Sequence, residues 1–123
     1  MKTHKLAAID IGSNSIKLAI VEAAASDSFT VILQDRERVR LGETLKSRHI
    51  SPEAIQKSAD AIQKFRSMAE NRKVDSILAV ATASVREAEN SAEFVREVEL
   101  KTGVRVEILS SIEEARLIGI AAS

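Results

Sequence analysis

A chain of 123 residues, 45% hydrophobic and 29% charged, is long enough for one domain with its own core and too apolar for a disordered or collagen-like one. Lysine plus arginine equals aspartate plus glutamate at 18 each, so no net field draws the chain to nucleic acid or an anionic membrane, and any anion site must be local. Cysteine is absent, which excludes disulfides, thiolate metal sites and cysteine nucleophiles, and no run nears the roughly 20 apolar residues of a membrane helix. The basic start Met1–Lys5 is followed by an apolar run that Asp10 breaks, so it does not read as a signal peptide, and a cytoplasmic protein with no membrane partner is expected.

The stretch Leu6-Ala-Ala-Ile-Asp-Ile-Gly-Ser-Asn-Ser-Ile-Lys-Leu-Ala-Ile-Val21 places two strand-forming runs around a Gly/Ser/Asn turn. Ile16, Leu18 and Ile20 alternate with Lys17, Ala19 and Val21, giving the second strand one strongly apolar face. Glu22 to Ser28 reads as a turn or short loop, and Phe29 to Asp35 as a third strand. Connections this short predict an antiparallel meander. Arg36 to Ile50 loses the pattern and reads as a strand continuation followed by a loop around Gly42.

Ser51-Pro52-Glu53 is a helix start: the serine caps, proline suits the first helical position, and the acid favours the positive end of the helix dipole. Ile55, Ala59, Ile62, Phe65 or Arg66, and Ala69 recur at helical spacing, predicting a helix to about Glu70. Val74 to Ala81 is nearly all apolar, as expected of a strand covered on both faces of a parallel sheet. Ser84 with Glu87 has the form of a capping box, and Asn90 with Glu93 offers a second start for a helix that Gly103 ends. Val104 to Leu109 alternates as a fifth strand, and Ser110 opens a last helix. The order βββαβαβα predicts an α/β domain on a mixed five-stranded sheet, with right-handed crossovers setting the later strands parallel to the first.

In an open α/β sheet ligands sit at the carboxyl ends of the strands, which points to Asp10–Ser15, Thr82–Arg86 and Ser110–Glu114. At the first, Gly12 admits close backbone approach, Ser13, Asn14 and Ser15 add donors, and Asp10 suits a hydrated Mg²⁺. A plain hairpin turn uses the same residue types, and composition alone favours it. The loop is not of the Walker type, since it lacks Gly-Lys-Ser/Thr and leads into a strand. At the second, Arg86 in the first turn of a helix can grip phosphate oxygens, or it can simply pair with Glu87 or Glu89 on a solvated face. At the third, Ser110-x-x-Glu113 and Ser111-x-x-Glu114 both fit a capping box. Neighbouring helical residues diverge by about 100°, so one acid caps or is solvated and the other is available as a general base. His4 and His49 lack ligand spacing, and Phe29, Phe65 and Phe94 fall on core patterns rather than a base-stacking platform, so no nucleic-acid partner is expected.

Three segments together resemble the exopolyphosphatase and guanosine-pentaphosphate phosphohydrolase family of the actin-like superfamily. They are Ala8-Ile-Asp-Ile-Gly-Ser-Asn-Ser15, Ala81-Thr-Ala-Ser-Val-Arg-Glu-Ala88 and Ile108-Leu-Ser-Ser-Ile-Glu-Glu-Ala-Arg-Leu-Ile118. The resemblance implies a ribonuclease-H-like fold and Mg²⁺-assisted removal of terminal phosphate from polyphosphate or guanosine pentaphosphate. It implies Glu114 as the water-activating acid, Arg86 as a phosphate-binding residue, and Asp10 to Ser15 as the first phosphate loop. Ser111 stands where the family usually has glycine, and the family's second loop, of the Asp-Ile-Gly-Gly-Gly-Ser type, does not occur in this sequence. The chain therefore reads as the first part of a longer, multidomain protein, nearly inactive alone, with a homodimer of the full-length protein among the expectations. Two other functions share these features: an ATP-dependent small-metabolite kinase of the same superfamily, and a non-catalytic phosphate-ligand sensor.

Overall fold

The computed structural model describes residues 3–24, 29–42, 47–113 and 115. Its elements run β1 (His4–Ile11), β2 (Ser15–Ala23), β3 (Phe29–Arg38), α1 (Pro52–Asn71), β4 (Ser76–Ala81), α2 (Ala83–Arg86), α3 (Ser91–Thr102) and β5 (Val106–Ile108), with residues 111–113 helical beyond them. They build one sheet in the order β3-β2-β1-β4-β5. The meander expected from the short connections is present: β2 runs antiparallel to both β1 and β3, while β4 and β5 lie parallel to β1.

The pleat decides what each face does. Ala7, Ile9 and Ile11 of β1 and Ile16, Leu18 and Ile20 of β2 are fully or almost fully buried beneath α1 and α3, together with Phe65 and Phe94. Successive side chains of a strand point to opposite faces, so the intervening Leu6, Ala8 and Asp10 share the other face with their partners Val21, Ala19 and Lys17. The expectation that β4 is covered on both faces is not met among the described residues. Leu78, the register partner of Ala8, is 43% exposed there.

Local signals explain where α1 starts and α3 stops. The Ser51 hydroxyl accepts the Ala54 N–H at 3.1 Å with Pro52 at the first helical position, and Phe65 rather than Arg66 carries the core face. Gly103 ends α3 at φ 72°, a left-handed position that glycine adopts at least cost.

Two expectations give way to longer-range contacts. Ser84 does not cap a helix: Thr82 precedes the four-residue α2, no side chain caps it, and α3 begins separately at Ser91. Asn90 does precede α3 but caps no backbone N–H; its amide donates to Glu93 Oε2 at 3.2 Å and also holds Ile50, accepting the Ile50 N–H at 2.8 Å and donating to the Ile50 carbonyl at 2.9 Å. That clamp fastens the segment before α1 to the start of α3.

β3 runs through Arg38, the strand continuation expected of the polar run from Arg36, whereas Glu22 and Ala23 are strand rather than turn and β5 is confined to Val106–Ile108. Residues 25–28, which complete that expected loop, and Glu114 lie outside the described residues.

Candidate functional site

The carboxyl ends of β1, β4 and β5 converge, bringing together the three segments singled out from the sequence. After Ile11 the chain turns within Gly12–Asn14, and the Gly12 N–H donates to the Ser15 carbonyl at 3.1 Å. A Cβ on Gly12 would stand 3.2 Å from that carbonyl, so crowding, rather than a positive φ, favours glycine here.

The carbonyls of the turn are taken by the tail of β3. Asn14 O accepts from Val39 N (3.3 Å) and Arg40 N (3.0 Å), and Ser13 O accepts from Gly42 N (2.7 Å). The N–H groups of exposed Ser13 and Asn14 have no acceptor among the described residues. Two adjacent amide donors with their carbonyls tied back form a concavity suited to an anion. Ser15 adds a buried hydroxyl, 4% exposed and without a hydrogen-bond partner, a rarity that marks a polar group in search of one.

α2 closes against this turn. The Ser84 hydroxyl donates to the Ser13 hydroxyl at 2.6 Å, which is what Ser84 does instead of capping. Val85 N and Arg86 N both donate to Thr82 O, at 3.1 and 2.9 Å, and make the tight turn at the end of β4. Arg86 is the last residue of this short helix, not part of the first turn of a long one. Its Nη1 donates to Leu109 O at 2.9 Å, its Nε lies 3.5 Å from Glu87 Oε1, and its side chain is only 22% exposed. The guanidinium therefore braces the end of β5 while lining the junction, and it is not the solvated surface arginine that a charged helix would usually carry.

At the third strand end Leu109 N donates to Ala81 O at 2.8 Å. Beyond it Ser110 and Glu113 form a reciprocal capping box: Glu113 N donates to Ser110 Oγ at 3.1 Å and Ser110 N to Glu113 Oε1 at 3.0 Å. Glu113 is thus engaged in capping.

Asp10 sits exposed at the end of β1, level with Lys17 and Val80 in the sheet register. Among the described residues no three His, Cys, Asp or Glu side chains group together as a metal cage. Mg²⁺ is commonly held by one or two carboxylates with water and phosphate oxygens completing the shell, and one exposed carboxylate beside an anion-binding turn fits that mode.

A pKa shift is found away from this junction. Lys64, on α1, is raised from its ordinary 10.5 first by its hydrogen bond to Glu37 and further by nearby Asp35.

Residues the sequence did not single out also border the site. Arg38 and Arg40 line a depression with Ser13, Asn14 and Gly42. The usable signal was the alternation Asp35-Arg-Glu-Arg38, which carries β3 three residues further and delivers a base to the turn.

A mixed sheet opening with a phosphate-loop-like hairpin, with its chemistry gathered at three parallel strand ends, defines an actin-like domain of the ribonuclease-H-like class. Comparison with known proteins narrows this. A model of the Ppx/GppA phosphatase family matches residues 7–123, and the chain belongs to that family.

Among solved structures, the chain superposes on the Aquifex aeolicus Ppx/GppA family member with a TM-score of 0.87 at 28% identity, over 94% of this chain and 38% of that one. It superposes on an exopolyphosphatase-like protein with a TM-score of 0.86 at 33% identity, over 95% and 36%. A Cytophaga hutchinsonii exopolyphosphatase shares the fold with a TM-score of 0.86 at 23% identity, over 93% and 36%. The chain thus spans well under half the length of these relatives. No described helix is long and apolar enough to cross a membrane.

Proposed function

We propose that the protein carrying this chain is a phosphoanhydride hydrolase that releases terminal phosphate from inorganic polyphosphate, guanosine pentaphosphate or both. The observation that carries the reading is the junction of strand ends. The free Ser13 and Asn14 amides, joined through Ser13–Ser84 to the segment holding Arg86, lie in a chain whose family is that of the Ppx/GppA phosphatases.

In this reading Gly12, Ser13, Asn14 and Ser15 hold the oxygens of the terminal phosphoryl group, and Arg86 offsets its charge. Glu114 takes a proton from the attacking water as the water oxygen bonds to phosphorus. The bridging P–O bond breaks, and the shortened chain leaves with its electron pair. Glu113 is occupied as a cap, which leaves the next acid for this role. Asp10 would supply a carboxylate to Mg²⁺, which adds positive charge at the phosphate oxygens when bound. Because the chain covers 36–38% of its structural relatives, the activity is assigned to the intact protein.

The test is Glu114→Gln in the intact protein. Orthophosphate release from polyphosphate should fall by about 10²–10⁴-fold, the usual scale for a lost general base, while polyphosphate still binds. Unchanged orthophosphate release would remove Glu114 from the mechanism, and phosphoryl transfer to a metabolite acceptor in place of that release would move the assignment to a phosphotransferase of the same superfamily.

A further inference from the structure

We propose that Arg38 and Arg40 form a second anion subsite beside the first loop, taking the next phosphoryl groups of an inorganic polyphosphate chain whose terminal group sits at Ser13–Ser15. The subsite rests on the phosphoanhydride reading above and extends it from one phosphate to several.

The pleat of β3 creates it. Asp35 and Glu37 are register partners of Leu18 and Ile16, so both acids stand on the helix-covered face, where the Lys64 ammonium meets them at 3.4 and 2.5 Å. Arg38 falls on the opposite face, level with Ser15, and its guanidinium has no ion pair among the described residues. An alternating acid–base sequence is thereby sorted into an acidic face paired with one lysine and a basic one.

Arg40 follows just past the strand at φ 60°, a left-handed position uncommon for a side chain of this size, with its N–H fixed to Asn14 O. With Ser13, Asn14 and Gly42, the two arginines line an open depression of about 380 Å³ that shares Ser13 and Asn14 with the primary site. A chain of phosphoryl groups leaving the turn thus meets the Arg38 guanidinium fork, the donor geometry best matched to phosphate oxygens, with Arg40 lining the same depression. The chain as a whole carries no net charge, so this attraction is local.

The test titrates the intact protein with inorganic tripolyphosphate and, separately, with orthophosphate, by calorimetry. It compares Arg38→Ala, Arg40→Gly, whose glycine accepts the left-handed backbone, and Arg72→Ala at the far end of the sheet. Thermal melting checks that each variant is folded. Each subsite variant should bind tripolyphosphate about tenfold more weakly and orthophosphate within about twofold of the parent, with Arg72→Ala unchanged. Equal weakening toward both ligands, or equal weakening by Arg72→Ala, would overturn the subsite. Because binding is read without turnover, a protein that uses these arginines yet releases no phosphate keeps the subsite and loses the hydrolase reading. A protein that hydrolyses polyphosphate with full affinity in both variants does the reverse.

Discussion

The two ends of the sheet are both edged with polar residues, but their strand ends are tied in different ways. At the amino end of β1, Lys5 N donates to Asp75 Oδ2 and Asp75 N to Lys5 O, both at 2.8 Å, while Lys5 Nζ reaches Arg72 O at 3.3 Å. At the carboxyl end the Ser13 and Asn14 amides find no acceptor among the described residues, and the buried Ser15 hydroxyl has no partner. Buried polar groups are normally paired, so the orphaned Ser15 hydroxyl beside two open amides is the feature on which the proposed phosphate site rests.

Substitutions can break this contrast, and the largest effect should come from the core that both ends share. Phe65 is fully buried beneath the sheet, and Phe65→Ala should cost about 3–5 kcal/mol of unfolding free energy in denaturant titration, melting both ends together. Asp75→Ala removes the acceptor for Lys5 N and should cost about 1 kcal/mol while leaving phosphate affinity unchanged. Ser84→Ala, which deletes the donor to Ser13, should cost no more than about 1 kcal/mol yet weaken phosphate binding measurably. An Asp75→Ala protein with impaired phosphate binding, or a Ser84→Ala protein with none impaired, would erase the distinction between the ends.

The smallest effect concerns pH. The hydrogen bond from Lys64 to Glu37 raises the lysine's pKa above 10.5. Its stabilisation is therefore fully present below that value and is lost as pH rises through the higher folded value. Alkaline melting curves of the parent and Lys64→Met should differ slightly at neutral pH and converge above the folded pKa. Both sides of the comparison should keep their phosphate behaviour throughout.

What could be read from the sequence followed the range of the interactions involved. The Leu6–Val21 hairpin, the Ser51–Pro52 start and the Gly103 stop are written in local residues, and the structure carries them as expected. Ser84 and Asn90 looked like caps because the residues that claim them, Ser13 and Ile50, are remote in sequence. Arg86 read either as a phosphate grip or as a partner of Glu87 or Glu89 on a solvated face, since nothing local announces its bond to Leu109 O. The polar run from Arg36 read as a strand continuation and is one through Arg38, but the pairing of its acids with Lys64 of α1 is remote in sequence and was not legible. The three strand-end segments could be named in advance, while the contacts joining them could not.

The most direct measurement is an amide chemical-shift titration of the isotope-labelled protein with inorganic phosphate. Shifts should concentrate at Gly12 to Ser15 and Thr82 to Arg86, with Arg72 to Ser76 unmoved. Shifts centred on the amino end of the sheet, or an unperturbed Ser13 and Asn14 at saturating phosphate, would contradict the assignment of the carboxyl strand ends as the phosphate site.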